Sequence, residues 1–136
     1  MRAFIALILC LLPMAALAQE DSIFQNYDDF TNYVDDHMMN RDFIPMVQRL
    51  GGRDEYTQEQ LSQVNTQLLA AFPQDFPNKA IVRSVDMGAG FREEAWVYWQ
   101  GLSYAWFYVL LHDRGNDLLV IQFNINSNAS VVLDKF

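Results

Sequence analysis

The chain has few cysteines and few basic residues, and each shortage excludes a class of protein. Its 136 residues include one cysteine, so no disulfide can form within the chain. Nine Lys and Arg residues stand against 17 Asp and Glu, which gives a formal net charge of −8. Nucleic-acid binding depends on clustered Lys and Arg that displace counterions from phosphates, so we expect no nucleic-acid partner. The length is far below the ~250 residues of a barrel enzyme and fits one domain.

Familiar catalytic and metal-binding motifs are also missing from the sequence. It contains no nucleophile elbow, phosphate-binding loop, dinucleotide glycine pattern or HExxH helix. Two histidines and one cysteine are too few for a metal site built on those ligands. We therefore predict no metal site and no cofactor. What the chain does have is apolar residues, 51% of the total, which excludes an intrinsically disordered protein.

The first eighteen residues have the three parts of a secretory signal peptide. Met1 and Arg2 give a positive start, residues 3–12 form an apolar run, and residues 16–18 (Ala-Leu-Ala) supply the small-residue cleavage pattern. The segment from residue 3 to residue 18 is shorter than the ~20 residues of a membrane-spanning helix. The sequence therefore predicts a cleaved signal peptide, 1–18, rather than a permanent anchor.

Cleavage after Ala18 would leave residues 19–136 as the mature chain. That chain would lose Cys10 and keep eight basic against 17 acidic residues, a net charge of −9. An oxidising compartment permits disulfides but does not require them in a domain of this size. The short signal and the cysteine-free mature chain are typical of exported bacterial proteins, so we predict a periplasmic or secreted location.

Residues 19–76 have the periodicity of helices. Apolar residues between positions 23 and 38 recur with helical spacing. They predict a first helix that begins after Asp21 or Ser22 and ends near Asn40. Phe43–Leu50 predicts a shorter second helix, which Gly51-Gly52 ends. The residues of the first stripe are Ile23, Tyr27, Phe30, Val34 and Met38.

A third helix is predicted by its start signal. Thr57 and Gln60 have the spacing of a capping box, in which each side chain binds a backbone N–H of the other. Phe72-Pro73 ends the helix. Its predicted apolar face consists of Leu61, Val64, Leu68 and Ala71.

From residue 79 onward the apolar period changes to two, and β-branched and aromatic residues are concentrated. Short Gly- and Asp-rich turns separate the apolar runs, so consecutive strands are expected to pair antiparallel. The predicted strands are Ala80–Met87, Phe91–Gln100, Tyr104–His112 and Leu118–Asn126, with a short fifth strand at Ser130–Leu133.

This order of elements predicts a single α+β domain over 19–136, helical in 19–76 and an antiparallel sheet in 79–136. Two to three N-terminal helices pack on one face of a C-terminal antiparallel β-meander of four to five strands. In element order, residues 22–136 resemble the small α+β rolls of the cystatin-like and NTF2-like kind. The resemblance implies a fold that hosts ligand carriers, isomerases and interaction modules, and it assigns no site residue.

Eight aromatic residues lie between Phe91 and Tyr108, in the two central strands. We expect a three-residue connection near Gly101, because this register separates a polar-aromatic face from an apolar face. A two-residue connection would exchange the pairing. A face of amphipathic aromatics with a few charges is typical of ligand sites and protein interfaces. The candidate binding residues are Arg92, Glu94, Trp96, Tyr98, Tyr104, Trp106 and Tyr108.

The sequence favours a non-enzymatic binding module of the bacterial envelope, with a protein or a small apolar ligand as partner. One alternative is a small acid–base enzyme of NTF2-like type, with His112 as general base oriented by an acid such as Glu94, Asp86 or Asp117. Another is a structural homodimer that joins two aromatic faces. Residues 19–59 carry ten acidic and three basic residues. This excess indicates a solvated surface or a surface for a basic partner.

Overall fold

The computed structural model describes residues 20–136, so the predicted signal peptide lies outside the described residues. Within these residues, four helices and a five-stranded antiparallel sheet confirm the α+β class. No helix in the described part is long and apolar enough to cross a membrane. The helices are α1 (Tyr27–Met39), α2 (Phe43–Val47), α3 (Gln58–Ala71) and α4 (Ala129–Leu133), with a π-helical turn at Gln48–Gly52. The strands are β1 (Ile23–Phe24), β2 (Asn78–Gly88), β3 (Phe91–Gln100), β4 (Ser103–Asp113) and β5 (Leu118–Asn126).

The first helix begins later than predicted, because Asn26 caps it instead of Asp21 or Ser22. The Asn26 side chain accepts a hydrogen bond of 2.9 Å from the backbone N–H three residues further on. Ser22 has a φ of 70°, a left-handed turn conformation. Ile23 consequently belongs to β1. The remaining stripe packs as the spacing predicts, and its fully buried residues are Phe30, Val34 and Met38.

The end of the second helical segment and the start of α3 follow the sequence prediction. Gly51 has a φ of 119°, a conformation that stops the helical chain and favours glycine. The Thr57 hydroxyl accepts from the N–H of Gln60 at 3.2 Å, and the Gln60 side chain accepts from the N–H of Thr57 at 2.9 Å. The predicted capping box is therefore confirmed.

The sheet has the order β1-β5-β4-β3-β2, and every neighbouring pair is antiparallel. β2 to β5 form the predicted meander. The predicted strand at Ser130–Leu133 is wrong, because these residues form most of α4. The Asn128 side chain accepts a hydrogen bond of 3.0 Å from the N–H of Ser130, and this cap prevails over the strand preference of the two valines. The fifth strand is instead β1, at the other end of the domain.

Different elements cover the two faces of the sheet. The inner face, which carries Trp96, Phe107 and Leu111, forms the main core with α1, α2 and part of α3. The outer face, which carries Ala95 and Tyr108, packs against α4. The prediction that helices cover one face therefore holds for the three N-terminal helices alone, since α4 lies on the opposite side.

The β3–β4 hairpin turns in two residues, so the three-residue connection expected from the sequence is wrong. Gln100 pairs with Ser103, which leaves Gly101 and Leu102 as the turn. Gly101 has a φ of 57° at the first central position, where type II′ turns use glycine. A shift of one residue in the connection exchanges the faces of a whole strand.

Candidate functional site

The hairpin register divides the seven candidate binding residues between the two faces of the sheet. Glu94, Trp96 and Tyr98 are buried beneath the N-terminal helices. The continuous polar-aromatic face expected from the sequence therefore does not form. The inner-face members are Arg92, Glu94, Trp96 and Tyr98, and the outer-face members are Tyr104, Trp106 and Tyr108.

Glu94 is a buried carboxylate with several protein partners. Its Oε2 accepts hydrogen bonds from the Tyr27 hydroxyl at 2.7 Å and from the Trp96 indole N–H at 2.8 Å. Its Oε1 accepts from the Ser84 hydroxyl at 3.2 Å and from Arg92 at 3.4 Å. Burial, followed by the bond to Glu94, raises the pKa of Tyr27. Glu94 thus connects α1, β2 and β3, as a buried charge must do to be tolerated.

A second carboxylate, Asp35 on α1, holds the same part of the sheet. Its Oδ1 accepts a hydrogen bond of 2.6 Å from the Tyr98 hydroxyl and forms an ion pair of 2.6 Å with Lys79 Nζ. Lys79 Nζ also lies 3.8 Å from the centroid of the Trp96 ring, in a cation–π contact. Burial and the hydrogen bond to Asp35 raise the pKa of Tyr98. The polar tips of Trp96 and Tyr98 are thus occupied by protein groups.

On the outer face, α4 covers part of the aromatic set. Tyr108 is buried against α4, and its hydroxyl donates to Glu93 Oε2 at 2.8 Å. Burial, followed by that hydrogen bond, raises the pKa of Tyr108 to about 12. Trp106 is half-buried, whereas Tyr104 is exposed and stacks on Trp99 with ring centroids 6.4 Å apart. The predicted aromatic surface is therefore reduced to the turn end of the hairpin.

The alternative acid–base set is not assembled with Glu94 or Asp86, and Asp117 is bonded to Arg114 at 2.6 Å. His112 lies on the outer face, stacked on Phe91 with ring centroids 3.9 Å apart, and its Nε2 is 3.2 Å from the Ala89 carbonyl. Glu94 and Asp86 belong to the inner face, so the expectation that one of them approaches His112 is wrong. Among residues 20–136 no group of three acidic or histidine side chains is arranged to hold a metal ion.

A groove of about 280 Å³ lies between α3 and β5, and we call it the α3–β5 groove. Its volume is close to the ~300 Å³ at which ligand sites begin. Most of the side chains around it are apolar, and several remain partly exposed to solvent, including Tyr56, Val64 and Ile121. α3 contributes Leu61, Val64 and Leu68, and β5 contributes residues 120–125.

The β5 wall of this groove is an unpaired strand edge. β1 pairs with Leu118 and Leu119, and the Ser22 carbonyl accepts from the N–H of Val120 at 2.8 Å. Beyond this point β5 has β4 on one side and, among the described residues, no strand on the other. We call residues 121–126 the β5 edge. An unpaired edge presents a row of backbone N–H and C=O groups that can pair with another strand.

Charge is present at one end of the α3–β5 groove. Glu55 is the one charged side chain among the described residues that line it. Glu55 is exposed and forms no ion pair within residues 20–136. We place it at the Ser22 end because it follows Arg53 by two residues, and Arg53 contacts Asp21, the neighbour of Ser22. Asp21, next to Ser22 in the chain, is instead bonded to Arg53 at 2.6 Å. The opposite end, near Ile125, is lined by uncharged residues.

Sequence reasoning alone misses this groove. The helical spacing assigns Val64 and Leu68 to the core, but on α3 only Leu61 is fully buried and Val64 is 36% exposed. The uncharged run 121–126 is visible in the sequence, yet nothing local indicates that α3 lies beside it. The groove depends on a long-range arrangement of two elements that are each ordinary in sequence.

The cystatin-like and NTF2-like resemblance rests on helices followed by a meander. The structure adds a strand before the first helix and a helix after the last strand. Comparison of the chain with protein-family models, with curated proteins and with solved structures finds no match.

Proposed function

We propose that the protein is an exported, non-enzymatic binding module that holds an extended segment of a partner polypeptide in the α3–β5 groove. One observation carries the proposal: a groove lined mostly by apolar side chains has an unpaired strand edge as one of its walls. Peptide-recognition domains that work by strand addition use the same two components. The edge provides main-chain hydrogen bonds, and the groove receives alternate side chains.

The combination favours a polypeptide over a small apolar ligand. A small apolar ligand would fill the groove but would leave the backbone groups of the β5 edge without partners. An added strand satisfies those groups and places every second side chain toward Val64 and Leu68. Neither main-chain pairing nor apolar packing requires a titrating side chain, which is why the proposed role is non-enzymatic.

The export part of the proposal rests on the sequence of residues 1–18. We expect the protein, expressed in a bacterium with its own N-terminus, to be recovered outside the cytoplasm and to begin at Gln19. Intact-mass measurement of the recovered protein tests this expectation. A mature chain that still contains Cys10 would contradict it.

The binding part is tested with an uncharged extended peptide, acetyl-(Thr-Val)₃-amide, titrated into ¹⁵N-labelled protein. We expect chemical-shift changes at the amides of the β5 edge and of α3. Two N-methylated versions, each modified at alternate residues, provide the sharper probe. Alternate N–H groups of a strand point to opposite sides, so one methylated peptide should lose at least about tenfold in affinity while the other keeps binding.

A matched pair of valine substitutions locates the site. Val64→Gln in the α3–β5 groove should weaken the peptide roughly threefold to tenfold, because apolar surface is lost from the contact. Val85→Gln on β2 changes a valine of similar exposure, 39% against 36%, and should leave the affinity unchanged. If no peptide shifts the amides of the β5 edge, the proposed function is wrong.

A further inference from the structure

The two ends of the α3–β5 groove differ in charge, and this difference points to the kind of segment that binds. We infer that the bound segment ends in a cationic side chain placed beside Glu55, after a run of alternating apolar residues. The inference rests on the proposed function and deepens it by naming the chemistry of the partner.

Glu55 is suited to this role because its charge is available. It lines the groove, is exposed, and forms no ion pair within residues 20–136. The nearby Asp21 carboxylate is paired with Arg53 at 2.6 Å, so Glu55 is the unpaired carboxylate that lines the groove at this end. Uncharged residues line the rest of the groove, so a second charge on the segment would have no opposite charge beside it.

The negative charge of the surrounding residues also favours a positive charge on the bound segment. Residues 19–59, which include Glu55 and the turn before α3, carry ten acidic and three basic residues. Such a region attracts cationic partners and repels anionic ones, and the effect weakens as salt is added. A cationic segment therefore gains from Glu55 and from its neighbourhood together.

The position of the cation follows from the direction of β5. β5 begins at the Ser22 end of the groove, where Glu55 lies, and runs toward Ile125. Both of its existing neighbours, β1 and β4, are antiparallel to it, and antiparallel pairing is slightly the more stable. A segment added antiparallel ends beside Glu55, so its C-terminal residue carries the cation.

Four peptides test this inference on the exported protein. Three have the form acetyl-Thr-Val-Thr-Val-Thr-X-amide, with X as Lys, Gln or Glu, and the fourth carries Lys at the first position instead. At low salt we expect the peptide that ends in Lys to bind roughly threefold to tenfold more tightly than the Gln peptide, and the Glu peptide to bind less tightly. The advantage should shrink between about 0.01 M and 0.15 M salt.

Two substitutions assign the effect to one carboxylate. Glu55→Gln should abolish the difference between the Lys and Gln peptides. Glu59→Gln is the control, because Glu59 is an exposed acid in the first turn of α3 that does not line the groove. With that substitution the difference should persist.

The outcomes separate the inference from the proposal on which it rests. If the Lys, Gln and Glu peptides bind equally at the β5 edge, or if Lys at the first position binds more tightly, the inference is overturned and the proposed function remains. If no peptide shifts the groove amides, both fail. If sedimentation of the unliganded protein shows a dimer whose β5 edge amides are already protected from exchange, a second copy occupies the edge and the inference is overturned.

Discussion

The two edges of the sheet are protected in different ways. β2 is exposed along most of its length, but it contains Lys79 and Arg83, and charged side chains on an edge discourage pairing with a further strand. The β5 edge contains no charged residue, and its bulge at Ile121 leaves the following residues regularly paired with β4. Because charged side chains are present on the β2 edge and absent from the β5 edge, only the β5 edge is available for a partner strand.

The two edges are also attached to the helices by different forces. Polar bonds from Lys79 to Asp35 and from Ser84 to Glu94 hold β2. Apolar contacts hold β5, whose Val120 and Phe123 pack into or against the main core. Polar attachment depends on geometry and protonation, whereas apolar attachment depends on area. The β2 side should therefore respond to single-atom and pH changes that leave the β5 side unaffected.

The largest effect is expected where the polar attachment passes through one side chain. Trp96 bonds Glu94 through its indole N–H and lies under Lys79 Nζ. Trp96→Ala should lower the free energy of unfolding by about 3–5 kcal/mol, because it creates a cavity and removes a donor from a buried carboxylate. Urea denaturation followed by circular dichroism measures the loss.

Trp106→Ala is the matched control on the other face of the hairpin. Trp106 is half-buried and packs against the smaller cluster under α4. Its substitution should therefore lower the free energy of unfolding by less than half as much as Trp96→Ala does. Equal losses for the two variants would mean that the bond of Trp96 to Glu94 and its contact with Lys79 add nothing to stability, contrary to the polar attachment described for the β2 side.

Local signals predict most of the secondary structure. The capping box at Thr57 and the concentration of β-branched and aromatic residues after residue 79 are properties of neighbouring residues, and the helix start and the four strands that they predict are confirmed. At Ala129–Leu133 the two valines favour a strand, although the Asn128 cap, which favours a helix, is visible in the sequence. Short segments are decided by such caps more than by intrinsic preference.

The candidate site is not predictable in the same way. Its expected form depended on the hairpin register, and one residue in the turn at Gly101 reverses which side chains share a face. The expectation also assumed that Glu94 would avoid the core, but Tyr27, Ser84 and Trp96 supply hydrogen bonds that make its burial tolerable. These partners are distant in sequence, so the local pattern does not reveal them.

A smaller effect is expected from alkaline pH. Tyr98 is buried and bonded to Asp35, which raises its pKa, so the folded protein keeps it protonated after unfolded chains have begun to ionise. Its contribution to stability is complete below about pH 10 and is lost as the pH rises above that value. By about pH 11.5 the loss should reach roughly 2 kcal/mol.

Tyr98→Phe isolates this contribution. The variant should be less stable at neutral pH by about 1 kcal/mol, because the hydrogen bond to Asp35 is lost while Lys79 still balances the carboxylate. Above pH 10 its free energy of unfolding should fall less steeply than that of the unmodified protein. Denaturant titrations at a series of pH values compare the slopes, and identical slopes would show that Tyr98 ionises normally in the folded state.

The smallest effect on stability is expected when a charge is removed from the β2 edge or added to the β5 edge. These two substitutions are also the most direct test of the difference between the edges. Arg83→Val removes a charge from β2, and Ile121→Lys adds one to the β5 edge. Ile121 is exposed, so Ile121→Lys should alter the free energy of unfolding by no more than about 0.5 kcal/mol. Arg83→Val also removes a hydrogen bond of 3.4 Å to the Leu133 carbonyl and a cation–π contact with Phe136, so its effect should be no more than about 1 kcal/mol. Association should respond instead, because a charge on an edge opposes a neighbouring strand.

The two substitutions should act on different partners. Arg83→Val should increase self-association in sedimentation velocity, since β2 then offers Ile81, Val82 and Val85 without its central charge. Ile121→Lys should leave self-association unchanged but lower the affinity of acetyl-(Thr-Val)₃-amide for the β5 edge. If only Arg83→Val lowers the affinity for the peptide, the peptide pairs with β2, and the charged edge is the one that binds. If each substitution acts at its own edge, the charge on β2 restrains association there, and the lack of charge on β5 permits it.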